Sequence, residues 1–103
     1  MASLISAWAD VVTDAPARYA KQLVSHLGHR VSFSTAGNTS TAAFGEATGS
    51  VVVGEGKLTL RAEAPDAESL ARVQQVLGSH LERFGQRSEL TVTWTTQDAG
   101  PTG

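Results

Sequence analysis

Two segments of this chain carry apolar residues at helical spacing on one side only, and this pattern restricts the fold more than any other feature. The first segment spans residues 16–27 and the second spans residues 66–84. Their apolar stripes consist of Ala17, Ala20, Leu23, Val24 and Leu27 in the first, and of Leu70, Val73, Leu77, Leu81 and Phe84 in the second. A helix with a single apolar stripe packs against the rest of the protein on that side only and leaves its other side in solvent. Both helices are therefore expected on the same face of one mostly antiparallel sheet.

The ends of both helices carry residues that favour helix starts and stops. Residues 13–16 (TDAP) supply an N-cap candidate and a proline, which a helix tolerates in its first turn. Gly28 suits a left-handed C-cap. Asp66 is the expected N-cap of the second helix, and Gly85 is its expected end. Gly78 in the middle of that helix costs ~1 kcal/mol against alanine, which indicates that another part of the chain packs closely there.

Alternating apolar and polar residues predict strands before, between and after the helices. The predicted strands cover residues 5–12, 31–35, 51–53, 58–62 and 90–95. Residues 36–50 are rich in Gly, Ser, Thr and Ala, and they predict either a flexible loop or a weak strand. The expected fold is a single α+β domain over residues 1–103 with the order β-α-β-β-β-β-α-β. The terminal residues 1–4 and 97–103 are expected to be disordered.

The composition argues against several classes of function. The chain has no cysteine, which removes disulfide frameworks, thiolate metal sites and cysteine nucleophiles. Its net charge of −2 argues against nucleic-acid binding, which depends on massed Lys and Arg. The longest aliphatic run, residues 51–53, is far shorter than the ~20 residues of a membrane-spanning helix. No nucleic-acid or membrane partner is therefore expected, and the cytoplasm is the expected location.

Four short motifs stand out within and after the helices. They are residues 18–23 (RYAKQL), 26–29 (HLGH), 80–84 (HLERF) and 90–94 (LTVTW). Together they resemble a bacterial family known only as domain of unknown function 2218. The resemblance covers the chain from about Ala7 to Trp94, and residues 36–50 look longer and more polar than the family pattern. The resemblance implies a small α+β sandwich similar to the C-terminal domain of phosphohexomutases. It also implies that the gene for this chain lies near siderophore-utilisation genes, but it implies no activity.

A polar cluster on the shoulders of the two helices is the candidate site. The predicted ligand-binding residues are Arg18, Tyr19, Lys21, Gln22, His26, His29, His80 and Arg83. Residues 18–30 include three cations and no acid, which suits an anionic ligand. Imidazoles suit Zn, Cu, Ni and Fe, so His26, His29 and His80 are the candidate metal ligands. The simpler interpretation is that these histidines cap helix ends or bond to neighbouring carbonyls.

These features favour a non-enzymatic binding module for a small anionic or metal-containing ligand, with iron or siderophore utilisation as the setting that the resemblance implies. The alternative is a protein-interaction or homo-oligomeric assembly module, whose surface would be Trp8 with Thr91, Thr93 and Thr95. Enzymatic activity is not favoured, and no catalytic residue or cofactor is predicted, because no nucleophile–base pair or pair of carboxylates can be located. Ser79 and His80 are adjacent on a helix, so their side chains diverge by ~100°.

Overall fold

The computed structural model describes residues 4–86 and 90–98, and its elements follow the predicted order. The strands are β1 (Ile5–Val12), β2 (Phe33–Ala36), β3 (Thr39–Phe44), β4 (Ala47–Val53), β5 (Lys57–Ala64) and β6 (Thr95–Asp98). The helices are α1 (Pro16–Leu27) and α2 (Ala67–Phe84). Within this described part of the chain, neither helix has the length and hydropathy needed to cross a membrane.

All six strands form one antiparallel sheet in the order β2-β3-β4-β5-β1-β6. The two helices lie on the same face of this sheet because the central strands turn most of their apolar side chains to that face. In the register of β1 with β5, Ala7 lies opposite Ala62 and Val11 lies opposite Leu58, and all four are buried. The predicted α+β fold, with a mostly antiparallel sheet covered on one face, is confirmed.

Residues 36–50 belong to strands and tight turns, so of the two alternatives predicted for this segment the strand is present and the flexible loop is wrong. The hairpins β2–β3 and β3–β4 each turn over two residues, beginning at Gly37 and at Gly45. The backbone φ angles there are +61° and +68°, which glycine adopts without steric cost. The many hydroxyl side chains pair across the strands, as Thr41 and Ser50 do with their oxygens 3.2 Å apart. A polar composition is thus compatible with regular strands at the edge of a sheet.

The alternating residues 90–94 do not form the predicted strand, because hydrogen-bonded pairing with β1 begins only at Thr95. Their apolar members, Val92 and Trp94 among them, pack against the core along α2, and the Val92 N–H donates to the Glu82 carboxylate at 2.9 Å. An extended segment that packs on a helix shows the same alternation as a strand. The predicted row of Thr91, Thr93 and Thr95 therefore does not lie on one sheet face.

The close packing expected at Gly78 is present. A β carbon at this position would lie 3.1 Å from Trp94 Nε1 and 3.4 Å from Val92 Cγ1. The glycine therefore lets residues 90–94 lie directly against α2. The chain that was expected to be disordered from residue 97 onward contributes residues 97–98 to β6. Residues 1–3 and 99–103, also expected to be disordered, lie outside the described residues.

The two helices begin and end differently. Asp66 caps α2 as predicted, since its Oδ1 accepts the Ser69 backbone N–H at 2.7 Å, and this hydrogen bond holds the pKa of the carboxyl below its usual range. Helix α1 has no side-chain N-cap. Gly28 follows its last residue in the right-handed conformation, with φ −60° and ψ −15°, so the predicted left-handed cap is wrong. The Gly28 N–H instead donates to the Val24 carbonyl at 2.8 Å, which prolongs the helical turn.

Candidate functional site

The two helices bring His26 and His80 together. Their ring centroids lie 5.1 Å apart and their ring planes are tilted by 44°. Phe84, one turn after His80 on α2, meets the His26 ring edge-on at a centroid distance of 5.4 Å. The sequence left open whether these two histidines converge, and in the structure they do. The Phe84 ring, which packs against the core, limits the movement of the His26 ring.

The orientation of the His80 ring follows from a hydrogen bond within its own helix. Its Nδ1 lies 2.6 Å from the backbone carbonyl oxygen of Val76. A carbonyl oxygen only accepts hydrogen bonds, so Nδ1 must carry the proton and donate it. In the neutral imidazole the other nitrogen, Nε2, then holds a free lone pair. This hydrogen bond fixes neutral His80 in one tautomer, with Nε2 as the nitrogen whose lone pair could bind a ligand.

The two imidazoles open into a cavity of about 380 Å³, which we call the two-histidine pocket. Its lining consists of His26, Leu27, Arg30, Val31, Phe44, Val76 and His80. The pocket thus has apolar walls from both helices and from the end of β3, with three nitrogen-bearing side chains among them. Among these described lining residues none is acidic. This combination of apolar walls and a few convergent polar groups is typical of small-molecule sites, and its volume lies near their lower limit of roughly 300 Å³.

Arg30 reaches this pocket through the turn that follows α1. The backbone N–H groups of Arg30 and Val31 both donate to the Leu27 carbonyl, at 2.9 and 3.0 Å. This tight turn folds the chain back over the end of α1, so that Arg30 and Val31 line the pocket. Arg30 was not among the predicted site residues because it lies beyond Gly28, where the predicted helix ends. The excess of cations in residues 18–30 was the feature that pointed to it.

The other predicted residues of α1 lie elsewhere. Arg18 and Gln22 are exposed on α1 and line neither this pocket nor its neighbour. Lys21 borders a separate shallow depression between α1 and the β2–β3 hairpin, together with Asn38. Tyr19 is half-buried and packs against the hydrophobic core. The predicted continuous strip along α1 is therefore divided between different surfaces.

His29 and Arg83 also fall outside the pocket. His29 is exposed in the turn after α1, and Arg83 borders an open groove formed by the end of α2 and residues 90–91. Among the residues that the structure describes, no three His, Cys, Asp or Glu side chains are grouped so as to hold one metal ion. His29 therefore does not complete a site with His26 and His80, and the candidate site contains two histidines and one arginine.

Comparisons with known proteins give a family and a structural relative. Residues 8–95 match the model of a family described as an uncharacterized protein conserved in bacteria, DUF2218. The chain is similar to a protein of Pseudomonas aeruginosa, PA4090, whose NMR structure shares 25% sequence identity with it at a TM-score of 0.75. The likeness covers 88% of this chain and 95% of that one. None of the curated proteins matches this sequence.

Proposed function

Because this chain belongs to the bacterial DUF2218 family of uncharacterized proteins, we propose its function from the two-histidine pocket: a non-enzymatic module that binds a small ligand with an apolar body and an anionic group. The observation that carries the proposal is the meeting of His26 and His80, 5.1 Å apart, in a cavity of about 380 Å³. Neither the family model nor the structural relative names a ligand, and the chemistry of the pocket lining therefore supports the proposal.

The apolar walls favour a ligand with an aromatic or aliphatic body. Leu27, Val31, Phe44 and Val76 supply these walls, and none of them is fully buried except Leu27. A ligand that covers them removes apolar surface from water, which is worth roughly 25 cal/mol for each Å². A cavity of about 380 Å³ suits a body of one or two rings rather than a large chelator.

The polar groups of the pocket favour a negative charge on that body. The guanidinium of Arg30 is a cation that can hold a carboxylate with two parallel hydrogen bonds. The imidazoles of His26 and His80 add further nitrogen atoms at the same opening. The described lining contains no carboxylate that would compete with an anionic ligand for Arg30. The charge of the pocket is therefore complementary to that of an anion.

Iron or siderophore utilisation in the cytoplasm is the physiological setting that we propose for this module. The absence of cysteine suits a reducing compartment. A single catecholate or hydroxycarboxylate arm of an iron chelator has the aromatic body and the anionic oxygens that the pocket would select. The ligand class is therefore small aromatic anions, of which such chelator fragments are one source.

The first test measures binding of 2-naphthoate in the presence of EDTA, by NMR of the histidine side chains. We expect the imidazole signals of His26 and His80 to shift. Arg30→Gln should weaken binding at least tenfold, since a charge-assisted hydrogen bond contributes about 1.5–3 kcal/mol. Arg83→Gln is the matched control and should change the affinity less than twofold, because Arg83 lies outside the pocket.

Two outcomes of this test would contradict the proposal. One is an absence of any shift at His26 and His80 when 2-naphthoate is in excess. The other is an equal loss of affinity in Arg30→Gln and in Arg83→Gln, which would indicate attraction to the general charge of the surface. The neutral analogue 2-naphthol shows how much of the affinity depends on the anion, and it should bind at least tenfold more weakly than 2-naphthoate.

A protein-interaction or homo-oligomeric assembly module is the second candidate function, and the open face of the sheet favours it. Within the described residues, no helix packs on the face opposite α1 and α2. Val12 on this face is 80% exposed, and Trp8 is only half-buried. If this face joins two copies, light scattering should show a mass that rises with concentration, and Val12→Asp should abolish the rise while Ala17→Asp on α1 should not. A constant monomer mass would exclude self-assembly.

A further inference from the structure

We propose that His26 and His80 form a two-nitrogen site for a divalent transition-metal ion of the zinc, nickel and copper class. The remaining coordination positions would face the two-histidine pocket and accept oxygen atoms of the ligand held there. This inference deepens the proposed function and rests on it for the ligand that completes the coordination. The metal–protein part depends only on the two histidines.

The distance between the two rings fits a shared metal ion. An imidazole nitrogen binds such an ion at roughly 2.0–2.1 Å, and the centre of the ring lies about 1 Å beyond the nitrogen. Two rings on one tetrahedral ion therefore have their centres about 5 Å apart. The centroids of His26 and His80 lie 5.1 Å apart in the structure. The separation of the two rings therefore matches that of two imidazoles on one ion.

The hydrogen bond of His80 is the arrangement that a metal-binding histidine requires. Ligating imidazoles nearly always donate their second N–H to a carbonyl, a carboxylate or a water molecule, which fixes the ring and raises its basicity. In this chain the acceptor is the Val76 carbonyl, at 2.6 Å from Nδ1. Val76 itself lines the pocket. The free Nε2 of His80 is therefore already oriented by the helix before any ion binds.

Two protein ligands leave the ion incomplete, and this identifies the kind of compound that would bind with it. A structural zinc site has four protein ligands, and a catalytic site usually has three. The described residues offer no third His, Cys, Asp or Glu near the pair. The missing donors must then come from the ligand, and a chelating aromatic anion such as a hydroxycarboxylate supplies two oxygens. Arg30 at the pocket lining can hold such an oxygen, but its permanent charge prevents it from binding the metal.

The test is a titration of the metal-free protein with Zn(II) alone, followed by NMR of the imidazole nitrogens. We expect one ion per chain and shifts at both His26 and His80. His26→Gln and His80→Gln should each weaken Zn(II) binding at least tenfold, since each removes one of two protein ligands. His29→Gln is the matched control, because His29 is exposed outside the pocket, and it should change the affinity less than twofold.

A second titration adds 3-hydroxy-2-naphthoate, which has two adjacent oxygens, and compares it with 2-naphthoate. Zn(II) should raise the affinity for the chelating compound at least tenfold and leave that for 2-naphthoate unchanged. Circular dichroism of each glutamine variant establishes that it is folded. A variant that unfolds is replaced by His26→Asn or His80→Asn, to which the same expectation applies.

Each result decides between the two proposals. If Zn(II) shifts neither histidine, or if His29→Gln weakens its binding as much as His80→Gln, the metal site is wrong, and binding of 2-naphthoate in EDTA can still uphold the proposed function. If Zn(II) binds through His26 and His80 but 2-naphthoate does not bind, the anion-binding function is wrong and the two-histidine metal site remains. If Zn(II) has no effect on 3-hydroxy-2-naphthoate, the ligand does not complete the coordination.

Discussion

Replacing Gly49 with valine is expected to lower the free energy of unfolding by about 3 kcal/mol, even though valine normally favours a strand. Gly49 is buried in β4 directly under α2. A β carbon there would lie 2.8 Å from Phe44 Cε1, 3.1 Å from Val73 Cγ1 and 3.2 Å from Leu77 Cδ1. The two γ carbons of valine would extend further into the same space. Because domains of this kind are stabilised by roughly 5–15 kcal/mol in total, such a loss is a large fraction of the stability.

Urea denaturation measures this effect, and Thr48→Val is the matched control. Thr48 precedes Gly49 in the same strand and points to the open face of the sheet. The control introduces the same side chain at almost constant volume, and it should change the free energy of unfolding by less than about 0.5 kcal/mol. Equal stability of the two variants would mean that α2 does not lie close on β4 at this position.

The milder change Gly49→Ala connects this packing to the two-histidine pocket. The nearest atom to its new methyl group is Cε1 of Phe44, at 2.8 Å, so the phenyl ring must move. Phe44 is also one of the walls of the pocket. A change beneath the sheet surface is thus transmitted to the candidate site through one aromatic side chain. The sequence predicted either a flexible loop or a weak strand for the segment that contains this glycine.

The spacing of apolar residues predicted those parts of the fold in which each side chain points either to the core or to the solvent. The alternation of Ala7, Ala9 and Val11 in β1 and the helical stripe that includes Leu77 were sufficient, because burial of apolar groups dominates these choices. The same spacing gave a wrong prediction of a strand at Val92, because an extended segment that packs on a helix also buries every second residue. A strand of a sheet differs from such a segment by its backbone hydrogen bonds to a neighbouring strand. The pattern of apolar and polar side chains does not indicate whether those hydrogen bonds form.

The candidate site could be predicted only in part, for a similar reason. The stripe on each helix placed His26 and His80 beside the core, but their 5.1 Å separation depends on how α1 and α2 lie against each other. That arrangement is determined by contacts between residues far apart in the chain. Arg30 depends on a turn in which two successive N–H groups share the Leu27 carbonyl, and the sequence around Gly28 is equally compatible with a left-handed cap.

Leu77→Ala is expected to lower the free energy of unfolding by about 3 kcal/mol through the opposite defect, a cavity. Leu77 is fully buried at the centre of α2, with Cδ1 facing Gly49. Truncation removes three carbon atoms from a place that neither the sheet nor the helix can refill without moving. Val76→Ala, one residue earlier, is the control, because Val76 borders the two-histidine pocket, where space is already open. It should cost less than about 1 kcal/mol.

A double-mutant cycle makes this expectation specific to the contact between α2 and β4. In Gly49→Ala combined with Leu77→Ala, the new methyl group on β4 enters the space that the leucine side chain has left. The double variant should then lose less free energy of unfolding than the sum of the losses in the two single variants. The difference should be at least about 0.5 kcal/mol, as for residues in direct contact. Strict additivity would mean that Gly49 and Leu77 do not meet, and the close approach of α2 to β4 would be wrong. A positive coupling would indicate instead that Leu77 is one of the side chains, together with Phe44 and Val73, that leave no room for a side chain at Gly49. The same contact would then help to position α2, and with it His80, over the sheet.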